Sequence, residues 1–415
     1  MKIIVQKFGG TSVADSICRE QVAKNIIGAL KKGFKPVVVV SAMGRQGAPY
    51  ATDTLKNLVT EIFKDVPARE LDLIMSCGEI ISSVVLANVL NKKGYKAKSL
   101  TGGQAGILTD DNFGNAQVID FNPETILKTI KNGYIPVVSG FQGITKSGEI
   151  TTLGRGGSDT TAAILGAGIK AERVEIYTDV DGIMTADPRI LSEARVIETI
   201  TYDEVFQLSN EGAKVIHPKA VEIAMMNNVP LVIKNFKNQG DGTLITSYSN
   251  KERNISLNKN SKVVTGIAHT ANIAQVTVIS ESENSKEEIE LFNALAQSGI
   301  SIDLINLFPK LKVFTIKKDK IEKTVEVLEE LKANYKIIDK CVKISLVGAG
   351  MRDVPGVMAR VVKTLNSKGI KILQTSDSNT TISVLIEENN LVEAVRSLHR
   401  EFHLDSKKSK IYFQM

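Results

Sequence analysis

The run PVVVVSA at residues 36–42 is continuous, apolar and β-branched. A strand with one wet face would alternate, so this one is expected in a sheet covered on both sides. Further strand-like runs are MKIIVQ at the start of the chain, YKAKSLT at 95–101, IPVVSG at 135–140, RVEIYTD at 173–179 and PLVIKNF at 230–236. Helical patterns lie between them. Val13, Ile17, Val22, Ile26, Ile27 and Leu30 recur at helical spacing over residues 12–32, and similar patterns cover residues 53–63 and 67–90. Strand and helix alternating as far as about residue 244 predict an α/β domain with a mostly parallel sheet. In such sheets ligands sit beyond the carboxyl ends of the strands, where the loops gather.

The polar and glycine-rich motifs fall at those ends. KFGGTS at residues 7–12 follows the first strand and precedes a helical pattern. Two glycines allow close approach of the backbone, and amides at a helix N-terminus favour an anion. It is not a Walker loop, because the lysine precedes the glycines. Two readings stand for these six residues: a phosphate cradle, or a tight turn beside a solvated lysine. Ser41 ends the valine strand, with Thr52 and Asp53 beyond a GRQGAP loop. MSCGE at 75–79 interrupts a helical pattern with a glycine beside Glu79. TTLGRGGSDTTAA at 151–163 sets Arg155 among glycines, then opens a helix with Ser158 and Asp159 as cap-like residues. YTDVDGIMTADPR at 177–189 leaves a strand into an acidic loop, and GAKVIHPKA at 212–220 carries Lys214 and His217. His217 before Pro218 reads as a hydrogen-bonded turn residue, Asp159 alone as a helix cap, Glu79 alone as a surface acid. Their order on one α/β frame argues for a site.

Composition excludes several classes of function. The net charge of +6 is spread among alternating lysines and glutamates, with no basic run interleaved with aromatics, so no nucleic-acid partner is expected. Cys18, Cys77 and Cys341 are far apart and odd in number, which fits a reducing compartment. No apolar run approaches bilayer length and no secretory leader is read, so the chain is expected to be cytoplasmic, with no membrane partner. The four histidines, His217, His269, His399 and His403, show no metal-ligand spacing, which disfavours a protein metal site or a histidine base.

Residues 246–262, TSYSNKERNISLNKNSK, are polar and read as a boundary. Beyond them the chain repeats itself. ALAQSGISIDLIN at 294–306 matches TLNSKGIKILQTS at 364–376, with Gly299 and Gly369 in register. Each copy has a strand and helix before it and a strand and helix after it, giving β-α-β-β-α-β twice. GAGMRDVPG at 348–356 lacks the third glycine and acidic partner of a dinucleotide fingerprint and reads as a strand-to-helix turn.

Taken together, KFGGTS, VSAMG, MSCGE, TTLGRGGSDTTAA, YTDVDGIMTADPR and GAKVIHPKA resemble, in the same order, the motifs of the aspartokinases within the amino acid kinase family. The C-terminal pair resembles that family's two ACT regulatory domains. The resemblance covers essentially the whole chain. It implies a three-layer α/β/α sandwich with a mostly parallel central sheet at residues 1–250, followed by two ferredoxin-like ACT domains at 262–340 and 341–415. It also implies transfer of the γ-phosphoryl group of ATP to the β-carboxylate of L-aspartate, with Mg2+, giving 4-phospho-L-aspartate and ADP. The physics agrees: a carboxylate nucleophile is ionised at neutral pH and needs no base, so alignment and charge neutralisation remain.

Carried over by resemblance, Lys7 contacts the transferring phosphate, with Gly9, Gly10 and Thr11 around it, and Asp159 orients the catalytic lysines. Thr178, Asp179, Met184, Arg189 and Lys214 match positions around the nucleotide; Met184 replaces a tyrosine of some relatives. Arg155 would clamp a substrate carboxylate and Glu79 accept from its ammonium, with Ser41, Thr52 and Ser158 completing the pocket. The ACT pair implies feedback control by lysine or threonine, lysine being favoured, with Ser301, Asp303 and Asn306 lining the effector pocket. A homodimer or dimer of dimers is expected. A silent amino-acid sensor would not need Lys7, Asp159, Arg155 and Glu79 together, and the Arg155–Glu79 combination suits a free amino acid better than a nucleotide acceptor.

Overall fold

In the computed structural model, which describes residues 1–213, 216–238, 240–247, 263–280, 285–349, 351 and 354–406, the valine run is a fully buried strand. The described chain divides into two units. The first takes in residues 1–183 and 196–209 with the described part of 214–251; the second takes in 184–195 and 210–213 with the described part of 252–415.

The first unit begins β1 (Ile3–Phe8), α1 (Ser16–Lys31), β2 (Lys35–Val40), α2 (Thr52–Thr60), α3 (Ala68–Lys92) and β3 (Ala97–Leu100). It continues β4 (Ile107–Thr109), β5 (Val118–Phe121), α4 (Glu124–Lys131), β6 (Ile135–Ser139), β7 (Gln142–Ile144) and β8 (Ile150–Thr152). Then come α5 (Gly157–Gly168), β9 (Arg173–Thr178), β10 (Thr199–Thr201), α6 (Tyr202–Asn210), α7 (Pro218–Met226), β11 (Leu231–Asn235) and β12 (Thr243–Thr246).

Eight strands form the central sheet in the order β10-β12-β11-β9-β1-β2-β6-β3. Every pairing in it is parallel except β11 with β12. Val38 and Val40 face a core with Val22 and Ile26 of α1 and Leu86 and Leu90 of α3. On the other face α5 lies so close to β9 that a Cβ on Gly166 would stand 2.3 Å from Val174. Both faces are thus covered, which is why β2 and β6 read as nearly unbroken apolar runs. A separate four-stranded sheet, β5-β4-β7-β8, is inserted between β3 and α5.

Helix α3 departs from the sequence reading twice. It is long and apolar enough, by length and composition, to cross a membrane, where no such run was expected. Yet it buries Asp72 and Glu79 completely or nearly so and packs beside β3, β6 and β8, as a core helix does. Its Gly78 does not interrupt the helix. A Cβ there would meet Ala42 Cβ and the Tyr50 carbonyl at 2.8 Å, so the glycine permits the loop before α2 to press onto α3.

The second unit contains β13 (Gly266–Ile279), α8 (Ser285–Gln297), β14 (Ile302–Phe308), β15 (Leu311–Lys317) and α9 (Ile321–Glu330). It continues β16 (Asn334–Val347), α10 (Val357–Asn366), β17 (Gln374–Asp377), β18 (Thr381–Glu387) and α11 (Leu391–Glu401). Its strands form one six-stranded sheet, β14-β15-β13-β16-β18-β17. The two repeats therefore share strands. One end of β13 pairs with one end of β16 (Gly266 with Val347), and the pairing runs through to Ile279 with Asn334 across register shifts near Ile273. Met184–Arg195, which lies within the kinase-like sequence, folds into this unit: Ala186, Leu191 and Ala194 join its core, and Thr185 Oγ1 lies 2.9 Å from His399 Nε2.

Candidate active site

Parallel register brings several strand ends to one level. Phe8 of β1 pairs with Val40 of β2 and Tyr177 of β9, and Val40 pairs with Ser139 of β6. The residues just beyond, Gly9, Ser41, Gly140 and Thr178, consequently line one edge of the sheet. The bonds Ser41 N–H to Phe8 O (3.1 Å) and Gly140 N–H to Val40 O (3.0 Å) hold the exits in step.

The glycine turn differs from the expectation in one respect. No α-helix follows it directly. The backbone makes a 3-10 turn over Gly10–Ser12, and α1 starts at Ser16, with the Asp15 carboxylate accepting from Cys18 N–H at 2.7 Å. The first amides of α1 are thus partly occupied, and those beside Lys7 belong to the short turn. Gly10 is required by space: a Cβ would lie 2.4 Å from the Ala42 carbonyl oxygen and 2.7 Å from that of Gly44, whose N–H donates to Gly10 O at 3.0 Å. KFGGTS and VSAMG are thereby packed together.

Lys7 Nζ lies 2.7 Å from Asp159 Oδ1, with the two side chains only 12% and 14% exposed. The solvated-lysine alternative is excluded. Nor is Asp159 a helix cap. Gly156, at φ +69°, occupies the N-cap of α5, and Asp159 sits in the first turn aimed at Lys7. A Cβ on Gly156 would come within 2.2 Å of the His217 ring, and His217 caps α7, its Nδ1 accepting from Lys219 N–H at 3.3 Å. His217 is a turn residue, as its sequence context indicated.

Glu79 is 2% exposed. Its Oε1 accepts from Ala42 N–H at 3.0 Å, while Oε2 is buried without a hydrogen-bond partner among the described residues. Burial, only partly offset by the Ala42 amide, pushes this carboxyl up to about 8. Ser41 precedes Ala42, and the Gly78 contacts with Tyr50 and Leu55 bring in α2, which Thr52 begins. Ser158 is buried at the start of α5, its Cβ only 2.8 Å from where a Gly140 Cβ would stand. Arg155 is exposed in the loop entering α5. Lys7, Gly9, Gly10, Thr11, Ser41, Thr52, Glu79, Ser158 and Asp159 thus gather around the ends of β1, β2 and β6. Thr178 and Asp179 leave β9, where Asp179 pairs with Arg45 at 3.0 Å, a partner the motif reading did not foresee.

Three nucleotide candidates remain. Met184 and Arg189 belong to the second unit, and Arg189 is 86% exposed with its guanidinium on Asp187 at 2.6 Å. Lys214 lies outside the described residues. Among the described residues no group of three or more His, Cys, Asp or Glu side chains could hold a metal ion.

In the second unit, Ser301 is exposed and Asp303 and Asn306 flank a bulge in β14 where Leu304 has φ +46°. Lys343 Nζ sits 2.7 Å from Asp303 and 2.9 Å from Glu211, and Asn306 Oδ1 accepts from Gln374 at 2.7 Å. Burial raises the Asp303 carboxyl, but Lys343 more than offsets this and holds it below the usual range.

Comparison with known proteins agrees with this geometry. Residues 2–235 match the amino acid kinase family, and residues 336–400 match an ACT domain. Aspartokinase 1 of Bacillus subtilis is 45% identical over 97% of this chain and 100% of its own length. The aspartokinase of Geobacillus stearothermophilus is 42% identical over 97% of this chain and 98% of its own. The aspartate kinase of Clostridium acetobutylicum superposes with a TM-score of 0.79 at 25% identity, over 97% of this chain and all of that one. Aspartokinase III of E. coli, solved with lysine and aspartate, shares the fold at TM-score 0.76 and 24% identity, over 96% and 99% of the two chains. On its motifs, its strand-end site and these relatives, the chain belongs to the aspartokinase family and is a kinase.

Proposed function

We propose that the chain transfers the γ-phosphoryl group of ATP to the β-carboxylate of L-aspartate, forming 4-phospho-L-aspartate and ADP. The observation that carries the reading is the shielded Lys7–Asp159 pair beside the Gly9–Gly10 turn, with the unpartnered oxygen of Glu79 on the neighbouring loop. Asp159 holds Lys7 extended toward the phosphates, and Gly9, Gly10 and Thr11 offer backbone donors. The acceptor needs opposite charges for a zwitterion. Glu79 receives the ammonium, Arg155 forks a carboxylate, and Ser41, Thr52 and Ser158 supply neutral hydrogen bonds. Thr178, Asp179, Met184, Arg189 and Lys214 serve the nucleotide.

Mg2+ is held mainly by the nucleotide in this reading. Magnesium commonly binds through substrate phosphates with one or two carboxylates rather than in an all-protein cage. When bound it neutralises charge on the phosphate oxygens. The acyl phosphate product is the activated form from which amino-acid biosynthesis toward lysine, threonine and methionine proceeds. The ACT repeats, divided at residues 262–340 and 341–415, take lysine in preference to threonine at Ser301, Asp303 and Asn306, in a homodimer or dimer of dimers. Precedent for such ligands comes from the E. coli enzyme solved with lysine and aspartate.

The test is turnover with ATP, magnesium and L-aspartate, trapping the acyl phosphate with hydroxylamine, with and without millimolar lysine or threonine. Hydroxamate suppressed by lysine supports the whole reading; none formed refutes it. Arg155→Lys should raise the aspartate KM roughly ten- to hundredfold by losing the planar fork, with the ATP KM little changed. Equal losses for both substrates would remove Arg155 from the acceptor site.

A further inference from the structure

Asp72 has no place in the motifs, yet it is fully buried in α3 and all its bonds go to one region. Its Oδ2 accepts from Gly114 N–H at 2.9 Å and Thr152 N–H at 2.8 Å, and its Oδ1 accepts from Thr152 Oγ1 at 2.7 Å. Thr152 ends β8 and leads at once into the loop bearing Arg155. Its carbonyl accepts from Ala116 N–H at 2.9 Å, and the next residue, Leu153, donates to Phe141 O at 2.8 Å. Gly154 then turns at φ +73°, with Asn115 Oδ1 only 2.7 Å from where its Cβ would stand. Two of the three bonds to this carboxylate therefore fix the strand end from which Arg155 departs, and the third ties in the Gly114 loop beside it. A fourth tie, Gln142 Nε2 to Ser76 O at 3.1 Å, joins the same small sheet to the same helix.

Glu79 lies seven residues further along α3. Seven residues are close to two helical turns, so Asp72 and Glu79 share one face about 10 Å apart. One rigid helix thus carries the ammonium acceptor directly and anchors the root of the arginine loop.

We infer that Asp72 is a positioning residue that sets the spacing between Glu79 and Arg155, and so selects the length of the acceptor amino acid. The inference rests on the reading that Glu79 and Arg155 contact the acceptor. Loosening the anchor lets the arginine loop drift, which weakens binding of the short acceptor and relaxes discrimination against a longer one. The nucleotide side, built on Lys7, Gly9 and Gly10, is untouched.

The experiment measures KM for aspartate and ATP, and kcat/KM for aspartate and glutamate, in the full chain carrying Asp72→Ala, Asp72→Asn or Thr152→Val. Asp72→Ala should raise the aspartate KM roughly tenfold, hold the ATP KM within about twofold, and raise the glutamate-to-aspartate ratio several-fold. Asp72→Asn should recover most of the loss, since its oxygen still accepts from both amides and its NH2 donates to Thr152 Oγ1. Thr152→Val removes one bond at nearly constant shape and serves should the alanine variant not fold; a roughly threefold rise in aspartate KM is expected. Parallel rises in both KM values, or an unchanged glutamate ratio in Thr152→Val and in every Asp72 variant that folds, would overturn the inference. Arg155→Lys run alongside separates the two failures. If it raises the aspartate KM while the Asp72 and Thr152 variants do not, only the positioning role falls; if it too has no effect, the acceptor reading and the inference fall together.

Discussion

Replacing Lys7 with methionine is expected to lower kcat by about two to three orders of magnitude, the usual loss when a preorganised donor to developing charge is removed. Methionine keeps the unbranched stem and much of the volume of lysine, so the strand and its turn should survive. What disappears is the single positive charge of the pair, and with it the partner of Asp159, whose side chain is only 14% exposed. An uncompensated carboxylate then faces the phosphates, so the ATP KM should rise as well. Asp159→Asn should cost less, because Lys7 keeps its charge and loses only its orientation. The double variant should be little worse than Lys7→Met alone, as residues acting as a unit are not additive. Steady-state kinetics on folded variants, checked by circular dichroism, decide the matter. A kcat within about threefold of the parent for Lys7→Met would take the lysine out of phosphoryl transfer.

The pair was legible in the sequence only in part. KFGGTS advertised a lysine at a strand end, since the apolar run before it and the glycines after it are local features. Local pattern alone made caps of Ser158 and Asp159, but Gly156 can adopt the left-handed conformation and takes that position, while the resemblance had set Asp159 against the lysine, where it lies. The central sheet was legible where strands buried on both faces run apolar, as the valines of β2 and Ile135–Val138 of β6 do, whereas β9 carries a buried acid, Glu175, held by Arg173. What local patterns could not give is long-range. Asp72 finds Thr152 eighty residues away, and nothing in its own neighbourhood says so. The seven-residue step from Asp72 to Glu79 on a helical pattern was the available signal. The same holds for Met184–Arg195, which continues a kinase-like motif in sequence yet is drawn into the second unit by Thr185, bonded to Ile267 N–H and His399. Likewise the repeat announced two copies of one motif, but strand length decided that β13 and β16 run through both.

Glu79→Gln is expected to lower kcat/KM for aspartate about a hundredfold at pH 8, and the pH profile carries the stronger test. Burial holds the Glu79 carboxyl near 8, so below that pH it is neutral in the free protein. Only the carboxylate pairs with an ammonium, so aspartate binding must expel a proton from Glu79. The value of kcat/KM for aspartate should therefore rise about tenfold per pH unit up to roughly 8 and then level, while the glutamine variant shows no such limb and its deficit narrows in acid. Stability should run the other way. A carboxyl whose folded value lies near 8, against an ordinary 4.5, binds its proton more tightly in the folded state. That stabilisation is complete below about 4.5 and is lost as pH rises through 8, whereas glutamine is indifferent. Thermal melts at pH 6 and pH 9 should then show the glutamine variant gaining on the parent at the alkaline end, where its activity deficit is greatest. A buried acid with a purely architectural role has no reason to move activity and stability in opposite directions. Identical pH profiles for parent and variant would show that the unpartnered oxygen of Glu79 does not meet the substrate.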